Sequence, residues 1–577
     1  MILTRLAIIA LLLSFSIQSQ AQVAVVSPRP AGILQVRGEH AHLRLTAHVP
    51  PSYGSFRYKI SSDVDTSGPT QNWFAVNAVG GLVDTLILLP RSLRSYTVYW
   101  RADSSGVDTG GLIGNLTPGH IIGVAGQSNA AGGCWEMVAG AWGDIRMLRD
   151  LAHWQPAKEP TGSMGGGPWI VMANMLFQVL NDSLPIGIVN VAVPSSGIMG
   201  QTGPQWVRNP LSPEDTSIYG RALLRFLTAG SELECLAWIQ GEADGFTLED
   251  PEEYRMVFKG LMSNFAKDLN NHPTPATDTF QVFHLQISGN SSAGAPTNTV
   301  PQVREAHRML PSSTLVGTAV GRSVEGDGLH FDVTTLWAVG KMFAGAILKE
   351  RYGISSPMYP PLMPDTVARL DSILDGSIIG RYCFSLGWNR GGVSTKLRSV
   401  QPTQYFALYE NGLAYDTSEV WYRISEDSTH VLTGLRHTAI DPSHQWQLTY
   451  DPIARANTAP LATIEPTSGD TIFATAFYKL PVNTTLAPAS VKRVALESIT
   501  TTHTQDGLNF TVVARDRQQA SLSLWDDCGV CVRSRAITLE KGQQEVTITT
   551  VGLRSGRYWA LLTTPESKVI EQAVVIR

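Results

Sequence analysis

The sequence predicts a multidomain chain in which one α/β domain, built on a parallel sheet, is flanked by β-sandwich domains. Three observations carry this expectation. Between 118 and 353, strand-like apolar runs alternate with helical segments, the pattern of a parallel sheet covered on both faces. On either side of that stretch, short runs of period two between turn residues replace it. At 577 residues the chain is also too long for one hydrophobic core.

The elements follow in chain order. Residues 1–21 read as a cleaved export signal: Arg5 closes a short basic start, Leu6 to Phe15 is almost wholly apolar, and Ser19-Gln20-Ala21 offers small residues to a signal peptidase. Residues 22–117 read as an immunoglobulin- or fibronectin-like sandwich, with alternation at Phe56-Arg57-Tyr58-Lys59-Ile60 and Tyr96-Thr97-Val98-Tyr99-Trp100. Within 118–353 the expected strands are Ile121 to Ala125, Ile186 to Val193, Cys235 to Gln240, Phe280 to Ile287 and Thr314 to Val320. The expected helices are Trp169 to Leu180, Tyr219 to Ala229, Pro251 to Leu269 and Val333 to Arg351. A proline-rich connection, Pro357 to Pro364, leads into a β-rich domain over 354–485, and 486–577 is a second β-rich segment.

Composition excludes more than it selects. A net charge of -5 gives no reason to expect nucleic acid or an anionic membrane as partner. No stretch after the export signal is long and apolar enough for a membrane helix. The five cysteines are too few and too scattered for a disulfide scaffold. Cys528-Gly529-Val530-Cys531 has no second pair to make a zinc site, so a local disulfide or two free thiols is expected. No ligand cluster calls for a metal, and no cofactor is expected.

In open α/β sheets the chemistry sits beyond the carboxyl ends of the strands, and three strings fall there in order. Ser128, in Gly126-Gln127-Ser128-Asn129, follows an apolar run and glycine; such a turn presents a hydroxyl and frees nearby N–H groups to face an oxyanion. His330, in Asp327-Gly328-Leu329-His330, has a carboxylate one turn away that fixes its tautomer and stabilises the imidazolium. Gln240, in Trp238-Ile239-Gln240-Gly241-Glu242, is a buried amide suited to donate to an oxyanion. Glu242 reads as either a rival carboxylate or a loop-fixing group, and Asp244 and Asp332 are weaker rivals to Asp327.

Taken together, the three strings resemble the sialate O-acetylesterase and acetylxylan-esterase-related branch of the SGNH hydrolases, over about 118–350. The resemblance implies a flavodoxin-like three-layer α/β/α domain that hydrolyses acetyl esters on sugars with a Ser-His-Asp triad. By position it makes Ser128 the nucleophile, His330 the base and Asp327 its orienter. Gln127, Ser195, Gln240 and Glu242 make up the oxyanion and substrate-binding set, with Gln240 donating where other members use asparagine. One departure stands out: the family's Gly-Gly-Ser or Gly-Gly-Thr run is replaced by Pro194-Ser195-Ser196-Gly197. The Ser195 N–H remains available to an oxyanion, while its side chain narrows the pocket.

The expected function is therefore a secreted or cell-surface carbohydrate O-acetylesterase, with an acetylated carbohydrate as partner. One alternative is a non-catalytic surface carbohydrate-binding protein on a weakened esterase fold; another is an esterase acting on a short-chain ester that is not on a sugar. Residues 486–577 resemble the C-terminal sorting domain of proteins exported by the type IX system, through Leu553-Arg554-Ser555-Gly556-Arg557-Tyr558 and the basic-apolar tail. That resemblance implies a secretion machinery as a second partner.

Overall fold

The computed structural model describes residues 23–576 with gaps. In the first 363 residues these are 64–71, 105–107, 138–139, 150–152, 182, 200–202, 212–215, 247, 271–280 and 289–299. Between 371 and 567 the gaps are more frequent, the longest being 451–461 and 484–495. The export signal and Cys528 lie outside the described residues. No described helix is long and apolar enough to cross a membrane.

The chain forms two compact units, the first containing residues 1–363 together with 399–401 and 451–478. Strands β1 (Ala24–Ser27), β2 (Ile33–Arg37), β3 (His40–His48), β4 (Tyr53–Ser62), β5 (Phe74–Val76), β6 (Leu82–Pro90) and β7 (Tyr96–Ser104) open this unit. Their inward residues alternate, so Leu43, Leu45, Val83 and Val98 share one buried cluster. The next strand, β8, runs without a break from Asp108 to Gly126. Its first half pairs antiparallel with β7, 117–119 pair parallel with β2, and its last residues form the centre of the α/β sheet. The expected domain boundary at 117/118 lies inside this strand.

Around the second half of β8 stand β9 (Ile145–Leu148), β10 (Trp154–Pro156), β11 (Ile186–Asn190), β12 (Cys235–Ile239), β13 (Val282–Gln286) and β14 (Ser313–Thr318). The parallel order is β9-β11-β8-β12-β13-β14, with β10 antiparallel on the β9 edge. Helices α1 (Ser128–Ala131), α2 (Trp169–Leu180), α3 (Ile218–Thr228), α4 (Pro251–Asn270), α5 (Val300–Arg308) and α6 (Val333–Tyr352) complete the domain. Side chains alternate across each strand, so the sheet has two apolar faces. Ile122 and Val124 pack with Trp169, Leu336 and Phe343 on the α2/α6 side. Ile121 and Ala125 pack with Tyr219, Phe258 and Val303 on the α3/α4/α5 side. This is an α/β fold with helices on both faces, as the alternation in the sequence predicts. Because β8 is central, with β11 on one side and β12 on the other, the strand order reverses at its carboxyl end. A cleft opens at such a point.

The second unit, residues 364–398, 402–450 and 479–577, is all β in its described residues. A nine-stranded sheet includes Cys383–Arg390, His430–Leu435 and Trp446–Tyr450. Beyond 496 lie a three-stranded and a four-stranded antiparallel sheet. Leu508, Phe510, Val546 and Ile548 of the first share a cluster with Ala520, Leu522 and Leu524 of the second.

Candidate active site

The reversal point gathers the ends of β8, β11 and β12, each continuing into one of the segments singled out in the sequence. After β8 the backbone turns at Gly126, which has φ 129°. A Cβ there would lie 1.9 Å from the Ile239 carbonyl oxygen, so both conformation and space demand glycine. Ser128 then starts α1 and is buried, at 5 % exposure. The turn is pinned from behind: Trp169 Nε1–H and the Asn190 amide both donate to the Ala130 carbonyl, at 2.6 and 2.9 Å.

The Asp327–His330 loop is closed on itself. Glu325 N–H donates to the His330 carbonyl at 2.7 Å, and Gly328 N–H donates to the Glu325 carbonyl. Asp327 Oδ1 accepts the backbone N–H groups of Leu329 and His330, and Oδ2 lies 2.6 Å from His330 Nδ1. Burial pushes the Asp327 carboxyl up, but these two N–H groups and the imidazole outweigh it, so its pKa falls below the usual range. A proton held between Nδ1 and this carboxylate leaves the lone pair on Nε2, the nitrogen a general base uses. The ring packs on Gly133: a Cβ there would lie 2.5 Å from His330 Cδ2 and 3.2 Å from the Ser128 carbonyl oxygen. Glycine at 133 thus brings the imidazole up to the serine turn. Among the described residues no hydrogen bond joins the Ser128 hydroxyl to the ring.

Asn129 ties these two pieces together. Its Oδ1 accepts Phe331 N–H at 3.0 Å, and its Nδ2 donates to Glu242 Oε1 at 2.8 Å. Glu242 is 3 % exposed, and its Oε2 has no partner from another described residue. Burial pushes its carboxyl up, partly offset by the Asn129 amide. Glu242 fixes Asn129 in the serine turn, although the resemblance placed it in the oxyanion and substrate-binding set. Asp332 caps α6 through Thr335 N–H at 2.8 Å. Asp244 accepts from Ile198 N–H, Met199 N–H and Gln240 Nε2, so neither of these rivals contacts His330 through a hydrogen bond.

The donor of Gln240, expected to face an oxyanion, is occupied elsewhere. Gln240 is fully buried, and its Nε2 donates to Asp244 Oδ2 at 2.6 Å and to Gln127 Oε1 and the Ser196 carbonyl at 3.2 and 3.1 Å. Its Oε1 accepts from the Tyr254 hydroxyl at 2.7 Å. With both amide protons engaged, it has none left for a substrate oxygen. Gln127 Oε1 accepts the Gly241 and Ala243 N–H groups, at 3.3 and 3.1 Å, and so holds the loop after β12, while its Nε2 donates to none of the described residues.

Ser195, by contrast, is exposed and takes φ 56°, the left-handed conformation that glycine adopts freely. The backbone N–H groups of Ser128 and Ser195 have no hydrogen-bond partner among the described residues.

Asn129 and Asn190 are the site residues that the sequence reading did not single out. The signal for Asn129 was adjacency to Ser128; Asn190 had only its position at the end of a strand.

Comparisons with known proteins agree on this region. Residues 118–349 match the family model of the carbohydrate esterases described as sialic acid-specific acetylesterases. A probable carbohydrate esterase of Arabidopsis thaliana is 27 % identical over 264 residues, 41 % of this chain and 92 % of that protein. The crystal structure of a carbohydrate acetylesterase from Xanthomonas citri superposes with a TM-score of 0.51 at 14 % identity, covering 78 % of this chain and 97 % of that one. At that identity the likeness is one of fold.

Proposed function

We propose that 118–353 is a carbohydrate O-acetylesterase working through Ser128, His330 and Asp327. The observation that carries the reading is the Asp327–His330 pair, joined at 2.6 Å and packed on Gly133 in the turn that begins at Ser128. His330 Nε2 takes the Ser128 proton as the hydroxyl attacks the acetyl carbonyl, and Asp327 steadies the imidazolium. The developing oxyanion accepts the N–H groups of Ser128 and Ser195, preorganised donors of the kind commonly worth about 3 kcal/mol each. Collapse of the tetrahedral adduct breaks the bond to the sugar oxygen, which leaves with the proton from His330. Water then attacks the acetyl-serine, giving a proton to the same base; His330 returns it to the Ser128 oxygen as the serine–acyl bond breaks, and acetate departs.

Export belongs to the same proposal. It is supported by the apolar Leu6 to Phe15 run before Ser19-Gln20-Ala21 and by the sorting-like pattern in 486–577. The test is hydrolysis of a chromogenic acetyl ester by wild type and Ser128→Ala. Loss of about a thousandfold or more in kcat with the fold retained supports the nucleophile. Equal rates would mean that another residue attacks, and two folded but inert proteins would favour a carbohydrate-binding role.

A further inference from the structure

We infer that Trp135 is the sugar-stacking, specificity-determining residue of this site, and that it selects a neutral acetylated pyranoside over one carrying a carboxylate. The inference rests on the acetylesterase reading, since an acetyl group held at Ser128 puts its sugar at the mouth of that turn. Trp135 lies two residues after Gly133, the glycine on which His330 packs, so their Cα atoms are at most about 7.6 Å apart. It is 69 % exposed although it is the largest side-chain type.

Its backbone is nevertheless fixed. Trp135 N–H and Cys134 Sγ–H both meet Glu325 Oε1, at 3.4 and 3.1 Å, and Glu325 N–H holds the His330 carbonyl. Cys134 also exchanges backbone hydrogen bonds with Gly166. An exposed indole on a backbone anchored to the histidine loop gives a ring-sized apolar surface at little ordering cost. The C–H face of a pyranose packs on such a surface. Met164, 37 % exposed, lies on the segment whose backbone pairs with 131–134.

The charge beside the platform is negative. Glu325 is bonded to the Trp135 backbone, and Asp327 stands two residues further on in the same loop. A sugar carboxylate stacked on Trp135 would lie near the Glu325 carboxylate that holds the Trp135 N–H. Arg322, in the same loop, turns its Nε to the Thr318 carbonyl at 3.3 Å. Neutral acetylated sugars meet no such opposition.

The test compares kcat/KM on an acetylated xylooligosaccharide, on 9-O-acetylated sialic acid and on ethyl acetate, for wild type, Trp135→Ala and Trp135→Phe. The expected result is a wild-type preference for the neutral glycan. Trp135→Ala should lower the glycan-to-ethyl-acetate ratio about tenfold or more, mostly through KM, and Trp135→Phe should restore most of it. Calorimetric titration of the acetylated xylooligosaccharide into Ser128→Ala, with and without Trp135→Ala, reads the platform without turnover and should show the same tenfold loss. Equal losses on all esters, or unchanged glycan affinity, would overturn the stacking role. A preference for the sialate would overturn the neutral class. A protein inert on every ester that still loses glycan affinity with Trp135 would sink the esterase reading and keep the platform.

Discussion

The amide of Asn129, itself on the segment after β8, touches the segments after β12 and before α6 at once, through Glu242, Phe331 and the Leu329 carbonyl. Replacing it by alanine leaves the Phe331 N–H and the buried Glu242 carboxylate without this partner, at about 1–3 kcal/mol of stability. The larger consequence is geometric, because the His330 loop loses its register over Ser128. Asn129→Ala is expected to lower kcat about a hundredfold with KM changed only a few-fold. Steady-state kinetics check this, and a raised KM at constant kcat would instead make Asn129 a binding group. Asp327 and His330 were legible in the sequence because their contact spans three residues and is set by local spacing. The occupation of Gln240 was not, since its partners Ser196, Asp244, Tyr254 and Gln127 converge from four separate segments. A buried amide looks the same in sequence whether it faces a substrate or a neighbour.

At the level of elements, long apolar strands and helices are where the sequence speaks clearly: α2 keeps the expected bounds and the other expected elements shift by a few residues, except the strand expected from Ile121, which starts at Asp108. Helix α5 was invisible for a physical reason. Its buried apolar residues are only Val300, Val303 and Ala306, and buried Gln302, Arg304, Glu305 and His307 lie among them, so the apolar stripe is short and masked by polar residues. The short strands β9 and β10 are too brief to show alternation. The segment after β10 supports the serine turn, since Gly165 N–H donates to the Gly132 carbonyl. Its anchor, Glu159, accepts from Thr161 and Gly167 N–H at 3.2 and 3.3 Å. Burial pushes this carboxyl up to about 7, despite those two bonds. The folded chain therefore keeps a proton that the unfolded chain has already released between pH of about 4.5 and 7. Stability contributed by this group is full below that window and falls as pH rises through it, by up to about 3 kcal/mol. Urea midpoints should show wild type losing stability against Glu159→Gln from about pH 5 to about pH 8. A constant difference would show that the carboxyl is already ionised in the folded chain.

For the first compact unit as a whole, the decisive feature is that the N-terminal β-structure and the α/β domain share β8. A buried charge cluster reinforces the join: Glu234, just before β12, takes Gln35 Nε2 at 2.7 Å, Arg37 at 3.1 Å and Arg351 of α6 at 2.8 Å. Burial raises this carboxyl, but His120, Arg37 and Arg351 outweigh it and hold it at about 2. Truncating one partner of such a cluster strands the others, so Glu234→Ala should cost about 3–5 kcal/mol in urea denaturation. An effect below about 1 kcal/mol would mean that water screens the arginines. The shared strand makes a stronger demand. A chain beginning at 118 loses the antiparallel pairing of 108–116 with β7, the β2 partner of 117–119, and Gln35 and Arg37. The exposed strand edge and the unpaired Glu234 both disfavour folding. Residues 118–363 alone are expected to aggregate or lack cooperative unfolding, whereas 23–363 should melt in one transition and retain esterase activity. A folded, active 118–363 would show instead that β2 and β7 are additions to a self-sufficient sheet, and that the composition change near 117 marks a true boundary despite the continuous strand.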